Sequence, residues 1–375
     1  MKNKYYDVIV LGSGMAGISI AAELSKELSV CILEKEKIPS YHSTGRSFAF
    51  YIESYGNEIV RKLTTASKNF FLEYSKSDSK ILNQRGVAHI AKKKQMGKLK
   101  SVYNDLLKIN NNFDILDKQK TLNLLPCLNS DNLEASIYDH NASDIDVNLL
   151  YSIYSKLFKS NQGKLVTDIS IEKISYSNNS WNLITNNDQY RGKIIINATG
   201  SWADEVGSKF NAQKINIVPK KRTVFCFKPN NNISLSNDWP VAVDIEEEFY
   251  FKCENETILA SPADETISLP HDAQPDEIDI AIGAERILNA TKFKFHNIFN
   301  KWAGLRSFVK DNSPVIGFDK KIDNFFWLAG QGGYGIQIAP SLAKIASNII
   351  MKKSNEFFIK NHNINIDLID VNRFN

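Results

Sequence analysis

"DVIVLGSGMAGISIAAELSKELSVCILEKE", residues 7–36, decides how this chain folds. "DVIVLG" is a short apolar run ending in glycine, which predicts a buried strand, and "MAGISIAAELSKE" has helical spacing. "SVCILEKE" is a second apolar strand that ends in acid. Gly12, Gly14 and Gly17 stand between the first strand and the helix. Gly12 permits the tight turn, Gly14 lets a pyrophosphate approach the backbone at the helix N-terminus, and Gly17 lets helix and strand pack closely. Glu34, at the end of the second strand, is placed to accept hydrogen bonds from ribose hydroxyls. The glycine spacing alone is a weak signal. Strand, helix, strand and a correctly placed acid together predict a dinucleotide site. Basic residues precede this apolar stretch as they do in a secretory leader, but Asp7 and the glycines interrupt it and it runs directly into the second strand.

Further pieces of the same kind lie far away in the chain. "GKIIINATG" is a buried strand with a glycine exit, and "FFWLAGQGGYGIQIAPSLAKIASNII" reads strand, Gly-rich loop, helix. "GNEIVRKLTTASKNFFLEYSK" and "QMGKLKSVYNDLLKI" have helical spacing, and "QRGVAHIAKK" is strand-like. "DIDVNLLYSIYSKLF" predicts a helix capped by Asp144 or Asp146. "ISIEKISYSNNSWNLITNN" predicts two strands around an Asn-Asn-Ser turn, and residues 217–260 run strand after strand. The class is therefore α/β, and α+β overall. A Rossmann-like cofactor domain is discontinuous over 1–85, 145–215 and 310–375, and a substrate domain on an antiparallel or mixed sheet is inserted as 86–144 and 216–309.

The 375 residues are 43% hydrophobic, enough for two cores, and the net charge of +4 is spread over scattered lysines, which argues against nucleic acid as a partner. Cys31, Cys127, Cys226 and Cys253 show no metal-ligand spacing, so no metal site is expected, and they suit a reducing, cytoplasmic compartment. No segment approaches the about 20 apolar residues of a membrane span.

The glycine spacing suits FAD and NAD equally; two later segments separate them. "NATGSWA" (197–203) is one. "GQGGYGIQ" (330–337) is the other, and it offers successive backbone N–H groups at a helix start, which suits an anionic or electron-rich ring edge. Arg222 in "KKRTVF" and Arg306 in "WAGLRSF" each sit in apolar or aromatic strand context, where arginine is rarely left unpaired. A shared carboxylate ligand explains both. Salt bridges to nearby acids such as Glu246 to Glu248 explain them equally well.

"YHSTGRS", "YDHNASDID", "IINATGSWADE", "VPKKRTVF", "EEEFYFK", "SPADET", "HDAQPDEIDIA", "WAGLRSFV" and "GQGGYGIQ" occur in order along nearly the whole chain. Together they closely resemble the D-arginine dehydrogenase branch of the FAD-dependent D-amino-acid oxidase/dehydrogenase family. The resemblance implies noncovalent FAD lying against Gly12, Ser13, Gly14, Met15, Ala16 and Gly17, then Glu34 and Lys35. Ser43, Thr44, Gly45, Arg46 and Ser47 would follow, with Ile171, Gly200, Trp202 and Arg306. Gly330, Gly332, Gly333, Tyr334, Gly335, Ile336 and Gln337 would complete the cofactor site. His42 sits where distant amine dehydrogenases attach flavin, but its surroundings match the noncovalent branch.

The resemblance also implies an amino-acid substrate that loses hydride from Cα to flavin, giving an imine that hydrolyses to a 2-oxo acid and ammonia. Tyr55 would be a lid tyrosine, and Arg222, Tyr250 and Arg306 would bind the α-carboxylate. A quinone or another acceptor would take the electrons, with at most peripheral contact with the inner membrane. The alternatives are an oxidase using O2, an N-methyl amino acid or 2-hydroxy-acid enzyme, and a flavin-bearing scaffold with a lapsed pocket.

One departure bears on specificity. Val87 stands where the D-arginine enzymes carry a pocket glutamate, and Phe50 replaces a pocket histidine. Val241 and Val243 keep the neighbouring wall apolar, with Gly333 and Tyr334 beside it. A guanidinium there faces a desolvation cost of several kcal/mol. The expected substrate has a small or apolar side chain, unless Glu53 or Asp244 restores negative charge.

Overall fold

The computed structural model describes residues 3–75, 79–108 and 112–374. Asn3–Leu11 runs through the middle of an eight-stranded sheet, parallel to Val30–Leu33 on one side and to Gln189–Asn197 on the other. A strand covered on both faces has no polar side to alternate, which is why "VIVL" is unbroken. Lys164–Val166 extends the sheet beyond Val30–Leu33. On the other flank Gln189–Asn197 forks. Its first half pairs antiparallel with Ser180–Thr185, and its second half pairs parallel with Phe325–Ala329.

Alternation splits the two faces. Val8 and Val10 point into a core shared with the helices Met15–Leu24, Glu58–Tyr74, Val147–Ser160 and Gly335–Ile350. Ile9 and Leu11 point the other way, toward Trp181, Phe210, Phe325 and Trp327. Of the two acids that could cap Val147–Ser160, Asp146 does so, accepting from Leu149 N at 2.8 Å. Asp144 instead pairs with Arg85 and with Lys252.

The second eight-stranded sheet draws every strand from 87–139 and 218–308. From one edge its order is Ile298–Phe308, Val218–Phe227, Thr257–Ser261, Tyr250–Glu254, Val241–Asp244, Val87–Ala91, Ala135–Asp139 and Phe113–Asp117. All neighbours are antiparallel except Val241–Asp244 with Val87–Ala91. Phe113–Asp117 lies at an edge and keeps mainly exposed side chains, so its sequence carries no apolar run. The helix Glu277–Ala290 also escapes the sequence pattern. Ile280, Ile287 and Ala290 are buried, but Ile278 and Ile282 on its other side are exposed, and the stripe is blurred.

A small sheet of Phe50–Tyr51, Ser143–Ile145 and Leu82–Gln84 joins the two halves. Beside it Arg85 donates to the carbonyls of Asn237, Trp239 and Cys253. The four cysteines are buried and unpaired. Burial pushes the Cys31 thiol up to about 12 and the Cys226 thiol up to about 11, so both pack as small apolar groups. Among the described residues, no helix is long and apolar enough to cross a membrane.

Phe71, on the helix Glu58–Tyr74, is fully buried against Tyr51, whose ring meets it edge-on at 5.7 Å. Phe71→Ala should cost about 3–5 kcal/mol. The expected readout is a lower urea midpoint with far-UV circular dichroism retained below the transition.

Candidate active site

The site begins at the first strand's exit. Gly12 has φ +95°, and a Cβ there would lie 2.7 Å from the Ala198 carbonyl oxygen. A Cβ on Gly17 would lie 1.9 Å from the Gly12 carbonyl oxygen, so the helix sits directly on the turn. Gly14, Met15 and Ala16 line a cavity of about 550 Å³. Met15 N donates to Thr44 Oγ1 at 2.9 Å, tying the helix start to the second loop. Glu34 faces the same cavity, with Lys35 beside it. Its Oε2 accepts from Ser13 N and Ser13 Oγ, each at 2.7 Å, and its Oε1 accepts from Glu36 N at 2.9 Å. Ser13 and Gly17 therefore stand behind the wall, orienting Glu34 and closing the turn.

Residues 41–47 cross from this domain to the strand Ile298–Phe308. Ser43 Oγ donates to the Leu305 carbonyl at 2.6 Å, and Trp302 Nε1 donates to the Arg46 carbonyl at 3.0 Å. Gly45 makes the turn, since a Cβ there would meet the Ser40 carbonyl oxygen at 2.6 Å. Ser43, Thr44, Arg46 and Ser47 line the cavity. The Arg46 guanidinium, however, pairs with Asp272 and donates to the carbonyls of Ala273 (2.8 Å) and Ala303 (3.1 Å). Its charge is directed away from the cavity, because this carboxylate and these two carbonyls already satisfy it. His42 Nε2 lies 3.0 Å from Glu36 Oε1 and its ring packs 4.6 Å from Trp202, so the imidazole is engaged on both sides.

The cavity continues along Ile171, Gly200 and Trp202, and then along Gly330, Gly332, Gly333, Gly335, Ile336 and Gln337. Gly330 and Gly332 have φ of +65° and +51°, and a Cβ on Gly333 would lie 3.0 Å from Arg306 Nη1. Gln337 is a brace. Its Oε1 accepts from Ile52 N at 3.1 Å and its Nε2 donates to Thr64 Oγ1 at 2.9 Å. Tyr334 is buried behind the wall, edge-on to Tyr55 at 5.3 Å, and burial raises its phenol above the ordinary range.

Arg222 and Arg306 come from neighbouring antiparallel strands. The register pairs Arg222 with Gly304 and Lys220 with Arg306, so both arginines project from one face as diagonal neighbours. Both line the cavity, with Tyr55 and Tyr250. Arg222 Nη2 donates to Glu265 at 3.0 Å, while its Nε is buried without a partner. The Arg222 guanidinium lies 5.9 Å from the Tyr250 ring centroid. Arg306 reaches Tyr55 OH through one long contact of 3.4 Å. Burial opposes its charge, but Tyr55, Tyr250 and Glu265 more than offset this and hold the guanidinium above its ordinary value. Of the acids of 246–248, Glu246 accepts from Gln95 and Glu247 lines the cavity, and the acid that Arg222 pairs with is Glu265. Two desolvated cations with spare donors suit an anion between them.

At the far end, Val87 and Val241 are buried in a small apolar cluster with Ala142 and do not line the cavity. The next cross-strand pair does, His89 opposite Val243, with Phe50 and Ile52. His89 was missed in the sequence, although a lone polar residue at an inward position of "VAHIA" was a usable signal. Burial pushes its imidazole down to about 4, so it is neutral. Glu53 is engaged by Tyr51 OH and Lys68, and Asp244 by Gln95 and the Glu246 N–H; neither lines the cavity. Glu247 does line it, but is exposed to solvent. Among the described residues, no group of three or more His, Cys, Asp or Glu is arranged to hold a metal ion.

The model of the family "DAO: FAD dependent oxidoreductase" matches residues 7–349. This chain belongs to that family. Its cofactor is therefore FAD, and the glycine turns, the oriented Glu34 and the helix start at Gly335 fit an extended dinucleotide. Among related family proteins, a glycerol 3-phosphate dehydrogenase of Caloramator mitchellensis is 26% identical over 58% of this chain and 46% of its own length. Human mitochondrial dimethylglycine dehydrogenase is 21% identical over 92% of this chain and 42% of its own. The chain thus spans less than half the length of these two relatives. The crystal structure of glycine oxidase from Geobacillus kaustophilus superposes with a TM-score of 0.81 at 16% identity, covering 96% of this chain and 99% of that one. That likeness establishes a shared fold.

Gly12→Ala should abolish flavin retention, with the purified protein lacking the visible absorbance of oxidised flavin. Trichloroacetic acid precipitation of the unaltered protein should release all of the yellow colour to the supernatant, because His42 is held by Glu36 and Trp202.

Proposed function

We propose that this protein oxidises an amino acid at Cα, with a D-configured substrate bearing a small or apolar side chain preferred over arginine and lysine. One observation carries the reading: Arg222 and Arg306 share one sheet face on the cavity, with a buried Nε unpaired on the first and only a 3.4 Å contact on the second. A substrate α-carboxylate supplies the missing acceptors through charge-assisted hydrogen bonds. FAD held along this cavity would supply the two-electron acceptor for the Cα hydride. The Tyr250 phenol stands beside Arg222 to join the carboxylate site, and Tyr55, resting on Tyr334, covers it from the loop side. The imine leaves to hydrolyse in water to a 2-oxo acid and ammonia.

The preference against cationic side chains follows from the far wall. Phe48, Phe50 and Val243 face the cavity, and the Lys252 Nζ lies 5.0 and 5.6 Å behind the Phe48 and Phe50 ring centroids. A guanidinium would meet apolar surface with a cation behind it. The exposed Glu247 offsets little of that cost through solvent. The D configuration and the D-arginine dehydrogenase branch rest on the motif strings "YHSTGRS" to "GQGGYGIQ". N-methyl amino acids form a second reading, favoured by the match to dimethylglycine dehydrogenase along most of this chain. Electrons are proposed to pass to a quinone or another acceptor, in the cytoplasm or at the inner face of the membrane.

The deciding experiment is anaerobic titration of the holoenzyme with paired D- and L-amino acids, N-methyl amino acids and 2-hydroxy acids, following loss of the oxidised flavin band. Bleaching by D-amino acids supports the proposal, and bleaching by L-amino acids alone overturns its configuration. Bleaching by hydroxy acids alone, or by nothing, overturns it. Arg222→Lys or Arg306→Lys should each lower kcat/KM by about 10- to 150-fold, through loss of about 1.5–3 kcal/mol of charge-assisted bonding, with flavin content unchanged. Because the amine lone pair must be free as hydride leaves, kcat/KM should rise with pH to a plateau. A steady fall above neutrality would contradict this.

A further inference from the structure

We propose that His89 selects the substrate side chain by hydrogen bonding a neutral polar group, a carboxamide or hydroxyl, at the end of the cavity opposite the arginine pair. This rests on the amino-acid reading above and refines its preference against cationic side chains: among uncharged side chains, a polar end is favoured over an apolar one of the same shape. Sheet register fixes the placement. His89 pairs with Val243, and Val243 pairs with Tyr250, so the imidazole and the Tyr250 phenol stand on one row of one face. They are separated by two strand spacings, about 10 Å. An amino acid with its carboxylate at Tyr250 and the arginines spans that interval with a side chain of a few carbons.

Phe50, Ile52 and Val243 belong to one apolar cluster and line the same cavity as His89, with Val243 directly opposite it. Among the described residues, the His89 imidazole makes no hydrogen bond and no ion pair. A polar ring kept in apolar surroundings without a partner is destabilising, unless a ligand supplies one. The chemistry of the partner follows from charge. Burial keeps the imidazole neutral, so an acidic side chain would first have to protonate it. A cationic one would gain no counter-charge and would lie near Lys252. Neutral imidazole offers one donor and one acceptor, which a carboxamide or hydroxyl satisfies without either penalty. An ordinary aromatic packing role for His89 predicts a different outcome in the following test.

The test compares side chains of matched shape, glutamine against methionine and asparagine against leucine, in both enantiomers, by anaerobic flavin reduction with wild-type, His89→Leu and His89→Gln holoenzymes. The polar member of each pair should lead by about three- to tenfold in kcat/KM with wild type, the value of one net hydrogen bond. His89→Leu should erase or reverse that lead, read as the polar-to-apolar ratio, and His89→Gln should keep part of it. A second readout is the His89 ring NMR signal, identified by its loss in His89→Leu. It should move when anaerobically reduced enzyme is saturated with glutamine or asparagine, and stay in place with methionine or leucine. Equal polar-to-apolar ratios in wild type and His89→Leu, or a signal that moves equally with both classes, overturn the selector role. Failure of the underlying reading looks different: no amino acid of either enantiomer bleaches the wild-type flavin, and both proposals fall together.

Discussion

The pairing of Val218–Phe227 with Ile298–Phe308 is the constraint on which the site depends. Antiparallel register sends alternate side chains to the same face, so Arg222 and Arg306 meet there although 84 positions of sequence separate them (306 minus 222). Holding two guanidinium groups this close in a partly dry cavity works against folding, since each repels the other and neither is fully solvated. Glu265 relieves part of this at Arg222, and the phenols of Tyr55 and Tyr250 relieve part at Arg306. What is left over is the part that the proposed carboxylate ligand would remove, and the sheet sets both cations in place for it.

Gly333 makes that arrangement sterically easier, since it lets the loop before the last long helix approach the Arg306 guanidinium, which a Cβ there would meet at 3.0 Å. Gly304 lies opposite Arg222 in the ladder and faces the residue 41–47 loop at ordinary contact distance, with Ser43 and Arg46 as its nearest neighbours. Two loops thus close on the arginine pair, one of them through backbone.

Much of this was legible in the sequence, for identifiable reasons. The opening strand, turn and helix could be read because Gly12 and Gly17 have few alternatives where carbonyl oxygens approach so closely. The strand Val218–Phe227 and the helix Val147–Ser160 were legible from apolar runs and a capping acid. What escaped was decided by tertiary contact. Arg46 reads as a cofactor cation until Asp272 and two carbonyls are found to surround it. Val87 and Val241 read as pocket residues, yet the cavity begins one cross-strand pair further along, at His89 and Val243. Alternation gives the face of a residue but not how far along that face the open space extends. Tyr334 shows the same limit: its neighbours Gly333 and Gly335 form the wall while its own ring supports Tyr55 from behind.

The bonds from residues 43–46 to the carbonyls of Ala273, Ala303 and Leu305 also make the two halves mechanically one body at this point. Ser43 and Thr44 face the dinucleotide cavity, and Leu305 is covalently next to Arg306. A displacement of this loop therefore travels to the guanidinium along a path of two residues. Under the proposed role of Arg306 as a carboxylate anchor, filling the nucleotide cleft would bear on that anchor through this short path, and the grip on one ligand would depend in part on the other.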